Sequence, residues 1–340
     1  MSTSPEHAQH SPEPAASAAA DVAADADADA DPAADWTQWA TVNRANWDER
    51  VPVHLGGTFY DVPGFVAGAE VLRDFELAEV GEVAGKRLLH LQCHLGLDTL
   101  SWARRGAEVT GLDFSEPAVL EAARLAKRIG ADTARFVASD VYGAVEALGG
   151  ETFDIVYTGM GALNWLPDLA RWARTVAALA RPGGFVYLAE FHPVAELVAE
   201  DGITLVEDYF DRAPAVLDTP GSYADRDAGM ASTRTVQWRH GVGDVVSALA
   251  GAGLRLEFLH EHAHGHFFLP PGPASRWSTR CAPPARPDVP SAHEPLSPSA
   301  TQSVRRSAHP PVSPSIGRRI RRSADPVAQP ARPVSTSVAP

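Results

Sequence analysis

Between Arg87 and His262 the chain alternates short β-rich runs with helical ones, and that alternation restricts it to an α/β fold with a mostly parallel sheet. The predicted strands are Arg87 to Gln92, Glu108 to Asp113, Ala134 to Ala138, Phe153 to Thr158, Gly184 to Phe191 and Leu254 to His260. Helices are predicted at Leu97 to Arg105, Pro117 to Ile129, Val141 to Leu148, Pro167 to Ala180 and Gly243 to Ala252. Repeated βα units of this kind form a doubly wound, Rossmann-like sheet. Such a sheet binds ligands beyond the carboxyl ends of its strands, so the residues just after each strand are the first to search.

The flanks differ in composition. Residues 1–35 are almost wholly Ala, Asp, Pro, Ser and Glu, too poor in apolar surface to offset the entropy of ordering, and are expected to be a disordered acidic tail. Trp36, Trp39, Trp47, Phe59, Tyr60 and Phe65 then arrive together, which marks 36–75 as a helical N-terminal lid. The α/β domain follows over 76–268, with an insertion at about 196–240. Residues 269–340 are rich in Pro, Ser, Ala and Arg and contain no Lys, which predicts a disordered tail. A natural proline-rich extension has that composition, and so does a reading-frame shift in a GC-rich gene.

A net charge of −14 weighs against nucleic acid as a partner. The opening MSTSPEHAQH lacks a basic and an apolar region, and no apolar run is long enough to span a bilayer, so neither secretion nor membrane insertion is expected. Cys93 and Cys281 stand far apart and form no disulfide or zinc framework, which fits a reducing cytoplasm.

The first predicted strand runs into Gln92, Cys93, His94, Leu95, Gly96, Leu97 and Asp98. A dinucleotide fingerprint requires three glycines there, to bring a pyrophosphate against a helix N-terminus, and this loop has one, Gly96. The loop therefore suits either a plain turn or a ligand without phosphates, such as a nucleoside joined to an amino acid. The second strand ends at Asp113, Phe114 and Ser115. A carboxylate there accepts from the vicinal hydroxyls of a ribose, or else Asp113 or Ser115 caps the next helix. Phe114 would wall an adenine. Asp140 and Val141, after the third strand, offer an acceptor and an N–H to the edge of a purine, or again a helix cap. After the fourth strand, Asn164 and Trp165 fall where a substrate would meet the ligand. His192, just past the fifth, is the candidate general base, since its ordinary pKa suits proton removal near neutrality; a structural histidine is the competing reading.

Taken in order, LLHLQCHLG, GLDFS, FVASDVY, FDIVYT and RPGG resemble the successive motifs of class I S-adenosylmethionine-dependent methyltransferases. HLQCHLGLDT, with GALNWLPDLARWA, EFHP and LEFLHEH, is similar to a bacterial small-molecule-type subgroup. The resemblance implies S-adenosylmethionine as cofactor and a small-molecule methyl acceptor. It places the methionine part at the loop of Gln92, Cys93 and Gly96, the ribose at Asp113, the adenine at Asp140 and Val141, and Thr158 beside the amino-acid end. His90, Gln92 and His94 stand where the wider family carries an acid and two glycines. Tyr60 would reach the cofactor from the lid. Trp165, Tyr142 and Tyr157 offer aromatic faces to a sulfonium. The transfer needs alignment rather than a metal. Leu254 to His260 supplies the sixth strand of such a fold, and the last antiparallel strand is expected to be missing.

Three other readings stand beside this one. His260, His262, His264 and His266 alternate and would share one face of an extended strand, as a metal site would require. A Rossmann oxidoreductase lacks its glycines. A methyltransferase fold without its closing strand would be truncated and inactive.

Overall fold

The computed structural model describes residues 32–199, 204–263 and 314–322; side chains are described from Thr37 onward, and not for 263 or 314–322. Most of the two predicted tails therefore lies outside the described residues. The parallel half of the central sheet comprises β1 (Arg87–Leu91), β2 (Glu108–Asp113), β3 (Arg135–Ala138), β4 (Phe153–Thr158) and β5 (Ala180–Phe191). With β8 (Leu254–Ala263) and β9 (Pro314–Arg322) it makes a seven-stranded sheet in the order β3-β2-β1-β4-β5-β9-β8. The strand order reverses beside β1, so the β1 and β4 ends form the crevice that this topology reserves for ligands.

Helices cover both faces. On one, α4 (Leu97–Arg104) and α5 (Glu116–Arg128) bury Trp102, Leu100 and Leu125, with α3 (Asp74–Val80) beyond. On the other, α6 (Ala144–Ala147), α7 (Leu169–Leu179) and α8 (Val242–Gly251) bury Trp172, Val176 and Leu249. Near-continuous apolar runs such as Leu88, Leu89 and Leu91 are what a sheet covered on both faces demands. The predicted helix at Val141 to Leu148 divides, with a 3₁₀ turn over Val141–Gly143 preceding the short α6.

Over the carboxyl ends lie α1 (Pro32–Gly56), the short α2 (Val62–Val66) and an insertion built on the hairpin β6 (Ala215–Asp218) and β7 (Arg234–Gln237). Asn43 of α1 pairs with both backbone groups of Val236 at 2.7 and 2.8 Å, and Glu49 accepts from Ala231 and Ser232. The N-terminal helix and the insertion thus form one roof.

The closing strand is where sequence and structure part. β9 lies between β5 and β8, antiparallel to both, so the last antiparallel strand is present rather than missing. Two isoleucines among four arginines in this stretch give little strand signal; unpaired backbone groups on the facing edges of β5 and β8 supply the drive that propensity does not.

Candidate functional site

A cavity of about 1210 Å³ opens at the crevice under the roof. Of the sequence-predicted residues, His90, Gln92, Cys93, Gly96, Asp113, Phe114, Asp140, Val141, Tyr60, Asn164 and Trp165 line it. Three do not. Ser115 caps α5 through the Ala118 N–H and donates to Asp48 at 2.6 Å. Thr158 is fully buried beneath the floor. His192 accepts from the Val194 N–H through Nδ1 and meets Glu261 at 3.0 Å through Nε2. Tyr142 and Tyr157 are likewise absent from the lining, their hydroxyls engaged by Asp168 and Glu76.

The loop after β1 is held in an unusual conformation. Gln92 (φ 57°) and His94 (φ 49°) both occupy the left-handed region, as does Gly96 (φ 72°). The two non-glycine residues thus take the conformation that glycine would adopt without penalty, at a cost of about 1 kcal/mol or more each. Specific hydrogen bonds offset this: Gln92 donates to Ala162 O at 2.9 Å, and the His94 N–H donates to Asp113 Oδ2 at 2.8 Å. At Gly96 a Cβ would stand 2.8 Å from Phe136 and 2.9 Å from Ala122, so only glycine fits between β3 and α5.

Asp113 also accepts from the Ser115 N–H at 2.9 Å. Burial, against these N–H bonds, pushes its carboxyl up to about 6. Each carboxylate oxygen keeps a second lone pair for a ligand hydroxyl. Asp140 caps the 3₁₀ turn through the Tyr142 N–H at 2.7 Å using Oδ1 alone.

Several lining groups have no sequence signal. Arg50, on α1, is 9% exposed and lies over the rings of Trp47, Tyr223 and Trp165 at 4.7, 5.4 and 5.7 Å. Its Nε has no partner, and no carboxylate among the described residues pairs with it. Asp98, in the first turn of α4, also has no hydrogen-bond or ion-pair partner among the described residues. Burial, then Glu76, against Arg73, raises it to about 7. Gln92 Oε1 is buried without a donor. An unpaired cation, an unpaired carboxylate and an orphan carbonyl thus open on one cavity beside one loop.

On the roof side His54 bridges His94 Nε2 at 2.7 Å and Ser222 Oγ at 2.6 Å, joining α1, the β1 loop and the insertion. Burial, then Arg50, lowers His54 to about 3, so this bridge is neutral. Glu190, at the end of β5, accepts from the Gly161, Ala162 and Leu163 N–H groups at 2.6, 3.0 and 2.9 Å and so shapes the loop after β4. Glu190→Gln is expected to cost about 2–4 kcal/mol, because an amide oxygen replaces only part of that acceptor and a donor is set against N–H groups. Urea unfolding of the variant measures it. Glu196 lines the cavity and faces Arg239 at 3.9 Å; burial, then Glu190, against Arg239, raises it to about 7.

Residues 89–186, from β1 into β5, match the family model described as a methyltransferase domain. The ubiquinone biosynthesis O-methyltransferase of Bordetella pertussis is 37% identical over 113 residues, covering 32% of this chain and 44% of that protein. That of Vibrio cholerae is 36% identical over 117 residues, covering 34% and 46%. The chain therefore matches slightly less than half the length of these curated relatives. A solved S-adenosylmethionine-dependent methyltransferase from Mesorhizobium loti aligns at 21% identity and a TM-score of 0.46, covering 76% of this chain and 100% of that one. At that distance the fold rests on the strand order itself.

Proposed function

We propose that this chain is an S-adenosylmethionine-dependent methyltransferase acting on a small-molecule acceptor, of the bacterial subgroup that its HLQCHLGLDT loop resembles. The observation that carries the proposal is the group beside the β1 loop of Arg50 Nε and Gln92 Oε1, both buried without a partner, and Asp98, to which no described residue is hydrogen-bonded. Arg50 complements an α-carboxylate; Asp98 and Gln92 Oε1 complement an α-ammonium. Asp113 then receives the ribose hydroxyls, and Asp140 with Val141 the adenine edge. A phosphate-bearing dinucleotide would meet Gln92 and His94 side chains where it needs bare backbone. The methyltransferase-domain match over 89–186 supports the same assignment.

When bound, the cofactor supplies an electrophilic methyl on sulfur. The protein's part is alignment, exclusion of water by the roof of α1 and the insertion, and removal of any proton the acceptor carries. We assign that proton to Glu196, which lines the cavity and is raised to about 7. Trp165 and Tyr60 line the acceptor side as aromatic walls. The domain division into lid, α/β body and insertion follows the same plan. No helix among the described residues is long and apolar enough to cross a membrane.

Calorimetric titration with S-adenosylhomocysteine tests the assignment. Micromolar, stoichiometric binding is expected, weakened at least about 30-fold in Asp113→Ala, which loses the charge-assisted acceptor for two hydroxyls. A folded protein that binds none of it would overturn the proposal.

A further inference from the structure

Away from the cavity, three potential metal ligands converge on the outer part of the sheet. Glu79 of α3 turns one oxygen, Oε1, toward both His260 Nδ1 at 2.7 Å and His262 Nε2 at 2.8 Å. The three ligand atoms lie within 4.8 Å of one another. None of these residues lines the cavity described above. His264 and His266, the other two histidines of the alternating run, lie outside the described residues.

The local fold is built to produce this arrangement. A register shift between Leu256 and Phe258 on β8 changes which side chains meet which face. Leu254, before it, packs in the core with α7 and α8, whereas Phe258, after it, packs with Tyr157 and Tyr187 on the α3 face. His260 and His262, following Phe258 at a spacing of two, are thereby brought to α3, where Glu79 stands. The second oxygen of Glu79 is fixed by the Tyr187 hydroxyl at 2.7 Å. Phe75 stacks on His262 at 4.2 Å and Phe258 on His260 at 4.5 Å, so both rings are braced. Oriented ligands with a hydrogen-bonded carboxylate behind them are the usual support of a metal site.

We propose that Glu79, His260 and His262 bind a divalent transition ion of the zinc class, independently of methyl transfer. Two imidazoles and one carboxylate are a donor set for zinc, cobalt or copper rather than for magnesium or calcium. In tetrahedral zinc geometry, ligand atoms stand about 3.3 Å apart, roughly half an ångström wider than the present hydrogen bonds. A small outward rotation of the imidazoles or carboxylate provides that. The ion binds each neutral imidazole at the nitrogen now turned to Glu79, the ring proton moving to the other nitrogen, and the fourth position opens to water on the side where His260 is 53% exposed. Such an ion would tie α3 to β8.

Titration of the purified full chain with Co²⁺ or Zn²⁺, after stripping with a chelator, tests this. The expected result is one equivalent bound, a cobalt d–d absorption of four-coordinate type, and a rise in Tm reversed by the chelator. His260→Ala, His262→Ala and Glu79→Gln should each weaken binding at least about tenfold. His260 is half exposed, so its variant is expected to stay folded. The double variant His264→Ala/His266→Ala should bind as the parent does. Binding undiminished in His260→Ala, binding lost instead in the double variant, or a folded parent that takes up no ion would each overturn the proposal.

Discussion

Replacement of Arg50 by methionine is expected to weaken S-adenosylhomocysteine binding roughly 100-fold while leaving 5′-methylthioadenosine binding unchanged. The guanidinium is buried, stacked on three aromatic rings and without a carboxylate partner among the described residues. A buried cation in that state carries a desolvation cost that is met only when an anion arrives. A charge-assisted pair with the ligand's α-carboxylate is worth about 2–3 kcal/mol, and about 1.4 kcal/mol is a factor of ten. Methylthioadenosine has the nucleoside and the thioether but no amino-acid end, so it should not sense the change. The unliganded Arg50→Met variant should be at least as stable as the parent, since a stranded charge has been replaced by a chain of similar length. Calorimetry with both ligands and thermal unfolding of the apoprotein read all three effects. Equal losses for the two ligands would remove Arg50 from the carboxylate site.

Affinity for the same ligand should also rise with pH through the neutral range. Asp98 is raised to about 7 and Asp113 to about 6, each from an ordinary value of 3.8. A carboxyl raised in the folded state favours folding most below its unfolded value, and that contribution is lost as pH climbs toward the folded value. On this account the apoprotein weakens between about pH 4 and pH 7. An ammonium ligand requires the ionised form of Asp98 and acts in the opposite direction. Below the titration of Asp98, each pH unit should cost about 1.4 kcal/mol of binding, a factor of about ten. The rise in Tm produced by S-adenosylhomocysteine should therefore be larger at about pH 7.5 than at about pH 5.5, and Asp98→Asn should flatten the dependence. An affinity that does not vary over that range would take Asp98 out of the ammonium site.

The parallel half of the fold was written plainly in the chain. Glu108–Asp113 and Phe153–Thr158 are predicted and observed with the same ends, because a strand covered on both faces is a short apolar run between turn residues. The residues following those strands are legible for the same reason, since topology alone brings Asp113, Asp140 and Gln92 to one crevice. Arg50, His54 and Asp98 were not. Their roles depend on contacts with loops more than a hundred residues away, as in the His54 bond to Ser222, or on the absence of a partner, and neither leaves a local pattern. For His192 the sequence supplies only a position at a strand end, not the direction of its ring, which meets Glu261. At the β1 loop the missing glycines left a plain turn or a ligand without phosphates as the readings; hydrogen bonds to side chains hold Gln92 and His94 in the conformation that glycine would have taken, which residue type alone does not reveal.

The place of β9 bears on the order in which the molecule is made. The strands whose ends form the crevice are complete, in sequence, by the end of β5, the insertion that roofs it follows, and β8 ends at Ala263, but the strand that joins β5 to β8 is not synthesised until residues 314–322. During translation the parallel half of the sheet is therefore ready to form first, while β5 and β8 wait with facing open edges. That waiting interval is when a nascent chain is most exposed to pairing with its neighbours, and a ligand that holds the β1 and β4 ends together would shelter half of the sheet through it.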